Sequence, residues 1–323
     1  MFPLILTNFL FNIIVIWVLR KIIIKFKPKG LYLEKNNQKI AKIGGIVLLL
    51  SFLIFYRKII PVNSLTMQIL LTAFLIFILG FIDDLKELKV WQKFLGEIVI
   101  ILIFIILSKL TTEIIFFPKY INFIITFIWI LGITNSFNLL DIQDGLATGI
   151  GFLITLSFLY LAYLTGNKIV GDFSLLLLSS LLAIFIFNFP PAKIYLGDSG
   201  SLSLGYIFSI LAILISYAKA SHEMALLSPL FILGFPIFDT AFVSLRRLFK
   251  GRSVFKKSDD HFILCLIAKG KKKIEALFIC YLLNLIFIVL GISFTKLSNL
   301  FSFFLILLFF IFLSYFSLRI NKE

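Results

Sequence analysis

Two adjacent acids followed by a lysine form the first group of residues that could do chemistry. Asp83 and Asp84 end a long apolar run, and Lys93 follows in the same polar segment. Neighbouring carboxylates repel each other, so one binds a proton more tightly or both share a cation. The pair therefore suits a general base or a metal ligand. Alone, it is equally consistent with a polar cap where a helix leaves a membrane, and Lys93 with a charge that only sets topology.

A second group repeats every third residue. Asn135, Asn138, Asp141 and Asp144 are followed by Gly145. A spacing of three keeps side chains near one face of a helix. Amide and carboxylate oxygens on one face suit Mg²⁺ or the hydrogen-bonding edge of a nucleotide. The alternative is a re-entrant loop that caps the next helix.

The third group is a loop of small residues from Asn188 to Ser201, which contains Tyr195 and Asp198. Glycines and small residues ahead of a helix expose backbone N–H groups to an anion. Asp198 would repel a bare phosphate but could hold one through Mg²⁺. The lysine of this loop is not in the Walker A position. Helix capping by Ser or Asp is the simpler interpretation, and the two can coexist.

The fourth group lies further along the chain. It contains Asp239, Arg247, Arg252 and His261. Arginines bind phosphates through two parallel hydrogen bonds, and a histidine can be a ligand, a phosphate contact or a proton carrier. A lone loop histidine is more often simply solvated. For Asp239, a structural hydrogen bond is as consistent with its position as catalysis is.

The elements that must position these groups are apolar helices. Of the 323 residues, 61% are hydrophobic and 15% are charged, whereas a soluble protein carries about 25% charged residues. Apolar runs of roughly 18 residues or more are typical of transmembrane helices. We therefore predict an all-α, polytopic integral membrane protein, a single domain over residues 1–323 with about eleven spans. The spans are 2–19, 43–60, 65–82, 92–109, 120–137, 146–165, 171–188, 201–218, 224–244, 275–293 and 299–318.

The basic residues predict the orientation. Most of the 31 Lys and Arg residues fall in one set of loops, which the positive-inside rule places in the cytoplasm. The N-terminus is then outside and the C-terminus cytoplasmic. The net charge of +15 favours topology and anionic lipid head groups over nucleic acid as its cause. Every aspartate except Asp172 falls on the cytoplasmic side. The predicted cytoplasmic loops are 20–42, 83–93, 135–146, 188–201 and 245–274.

Together and in this order, the four groups resemble the polyprenyl-phosphate N-acetylhexosamine-1-phosphate transferase superfamily, of the glycosyltransferase family 4 type. The resemblance implies transfer of a sugar-1-phosphate from a UDP-sugar to undecaprenyl phosphate. The products would be undecaprenyl-diphosphate-sugar and UMP, at the start of a cell-envelope polysaccharide such as lipopolysaccharide or teichoic acid. It also implies Mg²⁺, with Mn²⁺ as the alternative, and a multi-pass protein of the inner (plasma) membrane with its site on the cytoplasmic face. The resemblance leaves a homodimer as a possible oligomeric state.

The resemblance also assigns roles. It makes Asp198 the metal ligand with Asn138 as a second one, and it places Tyr195 and Asp144 at the nucleotide. The predicted catalytic residues are Asp83, Asp84, Lys93 and His261. The predicted substrate-binding residues are Asn135, Asp141, Asp144, Tyr195, Arg247 and Arg252.

The chain departs from the family pattern in two places. Ile142 and Gln143 stand where the family usually has a glycine after the first acid, and Ile263 and Leu264 replace later histidines. The second departure favours the branch that initiates O-antigen or teichoic acid over the peptidoglycan translocase. Two alternatives stay open, namely an ion-coupled transporter and an inactive relative of the transferases.

Overall fold

The computed structural model describes residues 2–35, 37–114, 117–215, 223–251 and 260–308. It divides into two compact units, Met1–Ile215 and Ser216–Glu323, and each is described by itself. A single catalytic domain over the whole chain stays a prediction.

The described part of the first unit is built mainly of long apolar helices. They are α1 (Phe2–Phe26), α2 (Gly44–Ile59), α3 (Ser64–Lys86), α4 (Val90–Ser108), α5 (Lys119–Leu140), α6 (Leu146–Thr165), α7 (Lys168–Asn188) and α8 (Gly197–Leu214). Several helices extend past the predicted spans. Asn135 and Asn138 therefore lie on the last turns of α5, and Asp198 lies in the first turn of α8, where loops were predicted.

The helices support a multi-pass, largely α-helical membrane protein. Among the described residues, seven helices are long and apolar enough to cross a membrane, and an eighth qualifies if one bent pair counts as a single span. The predicted number of eleven is not confirmed, and neither is the orientation of the termini. One reason is length: α2 has 16 residues, about 24 Å at the rise of an α-helix, against a hydrocarbon core of about 30 Å. The last predicted span, 299–318, lies partly outside the described residues.

Helix α8 lies at the centre of the first unit, and nearly all of its residues are buried. Its first turn packs against the backbones of α2 and α3 through two glycines. A Cβ atom on Gly80 would lie 2.6 Å from the carbonyl oxygen of Asp198, and one on Gly45 would lie 2.5 Å from the amide nitrogen of Gly200. Larger side chains would hold these helices apart. The glycines therefore bring the end of α3 against the beginning of α8.

A small sheet is the main departure from an all-α fold. The predicted loop 20–42 contains the end of α1 and a hairpin of β1 (Tyr32–Lys35) and β2 (Gln38–Lys42). Strand β2 pairs in parallel with β3 (Ile194–Tyr195), so that Lys42 lies opposite Tyr195. The sheet thus joins the segment after α1 to the loop before α8.

The second unit contains a broken helix where one continuous span, 224–244, was predicted. Its described elements are a 3₁₀ turn (Glu223–Leu227), α9 (Ser228–Ile232), α10 (Gly234–Phe249), α11 (Phe262–Ala268), α12 (Lys273–Phe294) and α13 (Asn299–Leu308). Helices α9 and α10 are bent by 68° about Leu233. Pro236 explains the break because it has no N–H to donate to the carbonyl of Ile232. The predicted span 224–244 is therefore a bent pair of helices, which counts as a membrane span only if the two are taken together.

Candidate active site

Asp84 anchors the first turn of α8. Its Oδ1 accepts a hydrogen bond from the Asp198 backbone N–H at 2.9 Å, and its Oδ2 accepts from the Ser199 N–H at 3.0 Å and hydroxyl at 2.7 Å. Lys42 Nζ lies 3.3 Å from Oδ1. A carboxylate at a helix N-terminus interacts favourably with the helix dipole and with its unpaired amides. Asp84 is buried, and its contacts fix the position of Asp198.

Asp83 faces a different partner. Its Oδ1 accepts from the Leu88 backbone N–H at 2.6 Å, and its Oδ2 lies 2.9 Å from Lys93 Nζ. The chain turns sharply between α3 and α4 at Glu87, which has a left-handed backbone with φ of 45°. This turn returns Lys93, in the first turns of α4, to the end of α3. The two adjacent acids therefore serve different neighbours.

Lys93 joins α3, α5 and α8. Its ammonium also pairs with Asp198 Oδ1. With the Asn138 amide oriented to satisfy its neighbours, Asn138 Oδ1 accepts from Lys93 Nζ at 2.9 Å and its Nδ2 donates to Asp198 Oδ1 at 2.9 Å. The orientation follows from the hydrogen-bonding groups around it. Oxygens of Asp83, Asp198 and Asn138 thus surround one positive charge.

The residues after α5 meet the loop before α8. The Gly197 backbone N–H donates to Asp141, and the Ala192 N–H donates to Asp144 Oδ2 at 3.1 Å. The Tyr195 hydroxyl also bonds Asp144. Burial raises the pKa of Asp141 to about 7, and the negative charges of Asp198 and Asp84 add to the effect. Burial, together with the charge of Asp144, raises the pKa of the Tyr195 hydroxyl.

Asn188 connects the same two segments from inside. Its Oδ1 accepts from the Gly145 N–H at 3.1 Å and the Thr148 hydroxyl at 2.7 Å, and its Nδ2 donates to the Ile194 carbonyl at 2.9 Å. Asn188 is buried. Its role in the geometry is to hold the turn at Gly145 against the segment of β3.

Asn135 lies one turn before Asn138 on α5 and contacts Glu97, an acid that belongs to none of the four sequence motifs. Its Nδ2 donates to Glu97 Oε2 and to the Leu131 carbonyl at 3.0 Å. Glu97 is fully buried and is the only acid in the sequence of α4. An ionisable residue in an apolar helix is a signal that could have found it. Lys42, which was counted only as a topology charge, was missed in the same way.

In the second unit, Asp239 orients His261. Asp239 Oδ2 lies 2.8 Å from His261 Nδ1, and its Oδ1 accepts from the Phe262 N–H at 2.9 Å. Both side chains are buried, and so is Arg247. A carboxylate on Nδ1 fixes the ring and directs Nε2 to the opposite side. Arg252 lies outside the described residues. The roles of His261, Arg247 and Arg252 stay predictions.

The group of charged residues at the beginning of α8 therefore holds more acids than bases. Asp83, Asp84, Asp141, Asp144 and Asp198 face two lysines, Lys42 and Lys93. Across the described ranges, no three Asp, Glu, His or Cys side chains form a ready metal cage. Mg²⁺ does not require one, because it keeps several waters and binds through one or two carboxylates plus substrate phosphates. The oxygens around Lys93 mark a cation position with the hard donors that Mg²⁺ prefers, so these residues fit the ion.

Comparisons with known proteins show the family of the chain. The family model described as "Glycosyl transferase family 4" matches residues 66–216. A "Probable undecaprenyl-phosphate N-acetylglucosaminyl 1-phosphate transferase" of Bacillus subtilis (strain 168) is 30% identical over 326 residues, which cover 96% of this chain and 90% of the relative.

Two further relatives are both named "Phospho-N-acetylmuramoyl-pentapeptide-transferase". The protein of Thermotoga petrophila is 30% identical over 309 residues, covering 88% of this chain and 97% of the relative. The protein of Staphylococcus saprophyticus is 32% identical over 265 residues, covering 73% and 79%. The predicted family is confirmed, and the transporter and the inactive relative are not favoured. The chain belongs to glycosyl transferase family 4 and is a multi-pass membrane phospho-sugar transferase.

Proposed function

We propose that this protein transfers N-acetylglucosamine-1-phosphate from UDP-N-acetylglucosamine to undecaprenyl phosphate, on the cytoplasmic face of the cell membrane. The products are undecaprenyl-diphosphate-N-acetylglucosamine and UMP. The observation that carries the proposal is the convergence of Asp83, Lys93, Asn138 and Asp198 at the beginning of α8. Two anionic substrates must meet in this reaction, and the group offers both a cation and ligands for a second one.

Asp198 and Asn138 would hold Mg²⁺, with Asp83 beside them and Mn²⁺ as the alternative. The Asp198 side chain is 30% exposed, against 1% for Asp84, so Asp198 is the acid that a diphosphate can reach. When bound, the ion would supply charge neutralisation for the diphosphate and for the departing UMP. Asp84 is a positioning residue in this proposal, because its oxygens are already engaged by the first turn of α8.

The reaction itself needs little covalent chemistry from the protein. An oxygen of the lipid phosphate attacks the phosphorus that carries the sugar, a new P–O bond forms, and the P–O bond to UMP breaks. Lys93 contacts both Asp83 and Asp198, and a positive charge this close to the site reduces the repulsion between the two anions. The proposed place of Asp83 is beside the lipid phosphate, because it contacts Lys93 and is less buried than Asp84.

The nucleotide would bind at Asp144 and Tyr195. The Tyr195 hydroxyl lies near Asp144, and its aromatic ring would stack against a uracil base. Asp141 and Asn135 support the same end of α5. In the second unit, Asp239 fixes the ring of His261, and the task proposed for His261, Arg247 and Arg252 is the binding of a phosphate.

The choice of sugar follows from two observations. The relative named for N-acetylglucosaminyl 1-phosphate transfer matches 96% of this chain. Ile263 and Leu264 stand where the resemblance would place later histidines, and Ile263 is 1% exposed, so neither side chain offers a polar contact to a larger donor. Both observations favour the small N-acetylhexosamine over a muramoyl-pentapeptide.

Label transfer tests the proposal. Membranes containing the full-length chain are incubated with undecaprenyl phosphate, Mg²⁺ and labelled UDP-N-acetylglucosamine, UDP-N-acetylgalactosamine or UDP-N-acetylmuramoyl-pentapeptide. Label from the first donor is expected in the lipid fraction with release of UMP, and Asp198→Ala is expected to abolish it. Transfer from the pentapeptide donor alone would contradict the sugar assignment. Unchanged transfer by Asp198→Ala, or in excess EDTA, would contradict the metal site.

A further inference from the structure

Glu97 is a buried acid that the proposed reaction leaves without a task. It lies on α4, one helical turn after Lys93, and its side chain is fully buried. Asn135 donates to its Oε2, and within the part of the chain that the structure describes Oε1 has no hydrogen-bond partner. Burying a carboxylate without a counter-ion costs free energy. The position of Glu97 beside the site therefore needs a physical reason.

The contacts between α4 and α5 form two levels. At the outer level Lys93 meets Asn138, and one turn deeper Glu97 meets Asn135. Residues four apart on a helix are neighbours, and helical side chains lean toward the N-terminus. The Glu97 side chain therefore leans toward Lys93. The flexible stem of a lysine lets its ammonium reach a carboxylate on either level.

The charges give a reason for Lys93 to change level. Its ammonium lies among Asp83, Asp198 and Asn138, the same oxygens that the proposed function gives to Mg²⁺. A divalent cation and the Lys93 ammonium repel each other when both contact these oxygens. Together they carry three positive charges against the two carboxylates of Asp83 and Asp198. Glu97 supplies the third negative charge.

We infer that Glu97 receives the Lys93 ammonium when a divalent cation binds at Asp198. Glu97 is then a positioning residue, because it acts on the site through Lys93. The inference rests on the proposed metal site. It explains why a carboxylate, with one oxygen that has no hydrogen-bond partner among the described residues, lies one turn from the ammonium.

The simpler interpretation is a polar contact that joins α4 to α5, as amides and acids do between membrane helices. Glu97→Gln separates the two interpretations. Its side-chain oxygen can still accept from Asn135, so the contact between the helices remains while the charge is removed. A role in joining the helices predicts no effect of this change on cation binding.

The test measures cation affinity without substrate. Mn²⁺ binding to the full-length chain in detergent is followed by the electron paramagnetic resonance signal of free Mn²⁺, with Asp198→Ala as the background. Glu97→Gln is expected to weaken Mn²⁺ binding about tenfold, and Lys93→Met to tighten it about as much. In the Lys93→Met background, Glu97→Gln is expected to change nothing further. Asp172→Asn is the matched control, because Asp172 is also a buried acid with an oxygen that lacks a partner among the described residues.

Each outcome of the Mn²⁺ titration either supports or overturns the inference. Equal affinity of Glu97→Gln and the parent overturns the inference and leaves the metal site standing. A loss of the same factor in both backgrounds also overturns it, because Glu97 then acts through its own charge and not through Lys93. Binding by the parent no better than by Asp198→Ala overturns the metal site and the inference with it. If Glu97→Gln fails to fold, Lys93→Met decides alone, since equal or weaker binding than the parent contradicts the exchange.

Discussion

Replacing Asp84 by asparagine should unfold the beginning of α8 as well as stop catalysis. The asparagine side chain would present one oxygen where the carboxylate presents two, and its amide N–H groups would face the backbone N–H groups of Asp198 or Ser199. Losing a hydrogen bond to a charged group costs about 1.5–3 kcal/mol, and losing the charge at a helix N-terminus costs about 0.3–1 kcal/mol. The expected loss is therefore about 3 kcal/mol.

Asp83→Asn is the matched variant. An asparagine at position 83 can still accept from the Leu88 N–H, and Lys93 keeps Asp198 and Asn138 as partners. The change then removes about one hydrogen bond, which costs about 1 kcal/mol. For a unit of this size, 1 kcal/mol shifts the melting temperature by about 2–4 °C. Asp84→Asn should therefore lower Tm by about 6–12 °C, and Asp83→Asn by about 2–4 °C or less.

The assay is thermal unfolding of both variants in the same detergent, combined with label transfer at a temperature where both are folded. Both variants should lose most of the transfer activity, and only Asp84→Asn should lose substantial stability. An inactive Asp84→Asn with the Tm of the parent would refute the reasoning, because Asp84 would then act on substrate and not on α8. A large loss of stability in Asp83→Asn would also refute the reasoning, because the two acids would then not differ in their structural roles.

Three further perturbations have defined outcomes. The raised pKa of Asp141 means that the folded form binds this proton more tightly than the unfolded form. The stability that Asp141 contributes in EDTA should therefore be complete below about pH 4 and be lost as the pH rises through about 7, by up to about 1.4 kcal/mol per pH unit. Asp141→Asn should remove that slope in a pH series of unfolding temperatures. Gly80→Ala should cost about 1–3 kcal/mol because its Cβ meets the Asp198 carbonyl, whereas Gly132→Ala, with open space around its Cβ, should keep the parent Tm. Asn188→Ala should cost about 2–4 kcal/mol by leaving three hydrogen bonds unmade, and a parent-like Tm would contradict its connecting role.

The sequence predicts the meeting of distant motifs better than it predicts the task of each residue. Residue types and their order were enough to predict that Asp83, Asn138 and Asp198 lie close together. The difference between Asp83 and Asp84 could not be predicted, because adjacent residues of the same type are distinguished only by which one faces α8. That depends on the close approach at Gly80, which is a property of packing.

The sheet and the helix break escaped prediction for different reasons. Strand β3 has two residues, and its pairing with β2 uses backbone groups, which leave no pattern in the side chains. The break at Leu233 lies in an apolar run whose hydropathy alone favours a single span. The proline that explains it could have been used, since a proline inside a helix pattern often ends or bends it. Glu97 was missed because it stands alone, outside any motif.

The parallel pairing of β2 with β3 has a consequence for biosynthesis. Residues 38–42 leave the ribosome long before residues 194–195, and all of α2 to α7 are made in between. Until α8 is translated, Asp84 lacks the amides that neutralise it and Lys42 lacks the strand beside it. A buried carboxylate at the membrane edge is unfavourable in that interval. Asp84 is therefore without these backbone partners from the synthesis of α3 until that of α8, and the arrival of this one segment supplies the amides for Asp84 and the third strand of the sheet together.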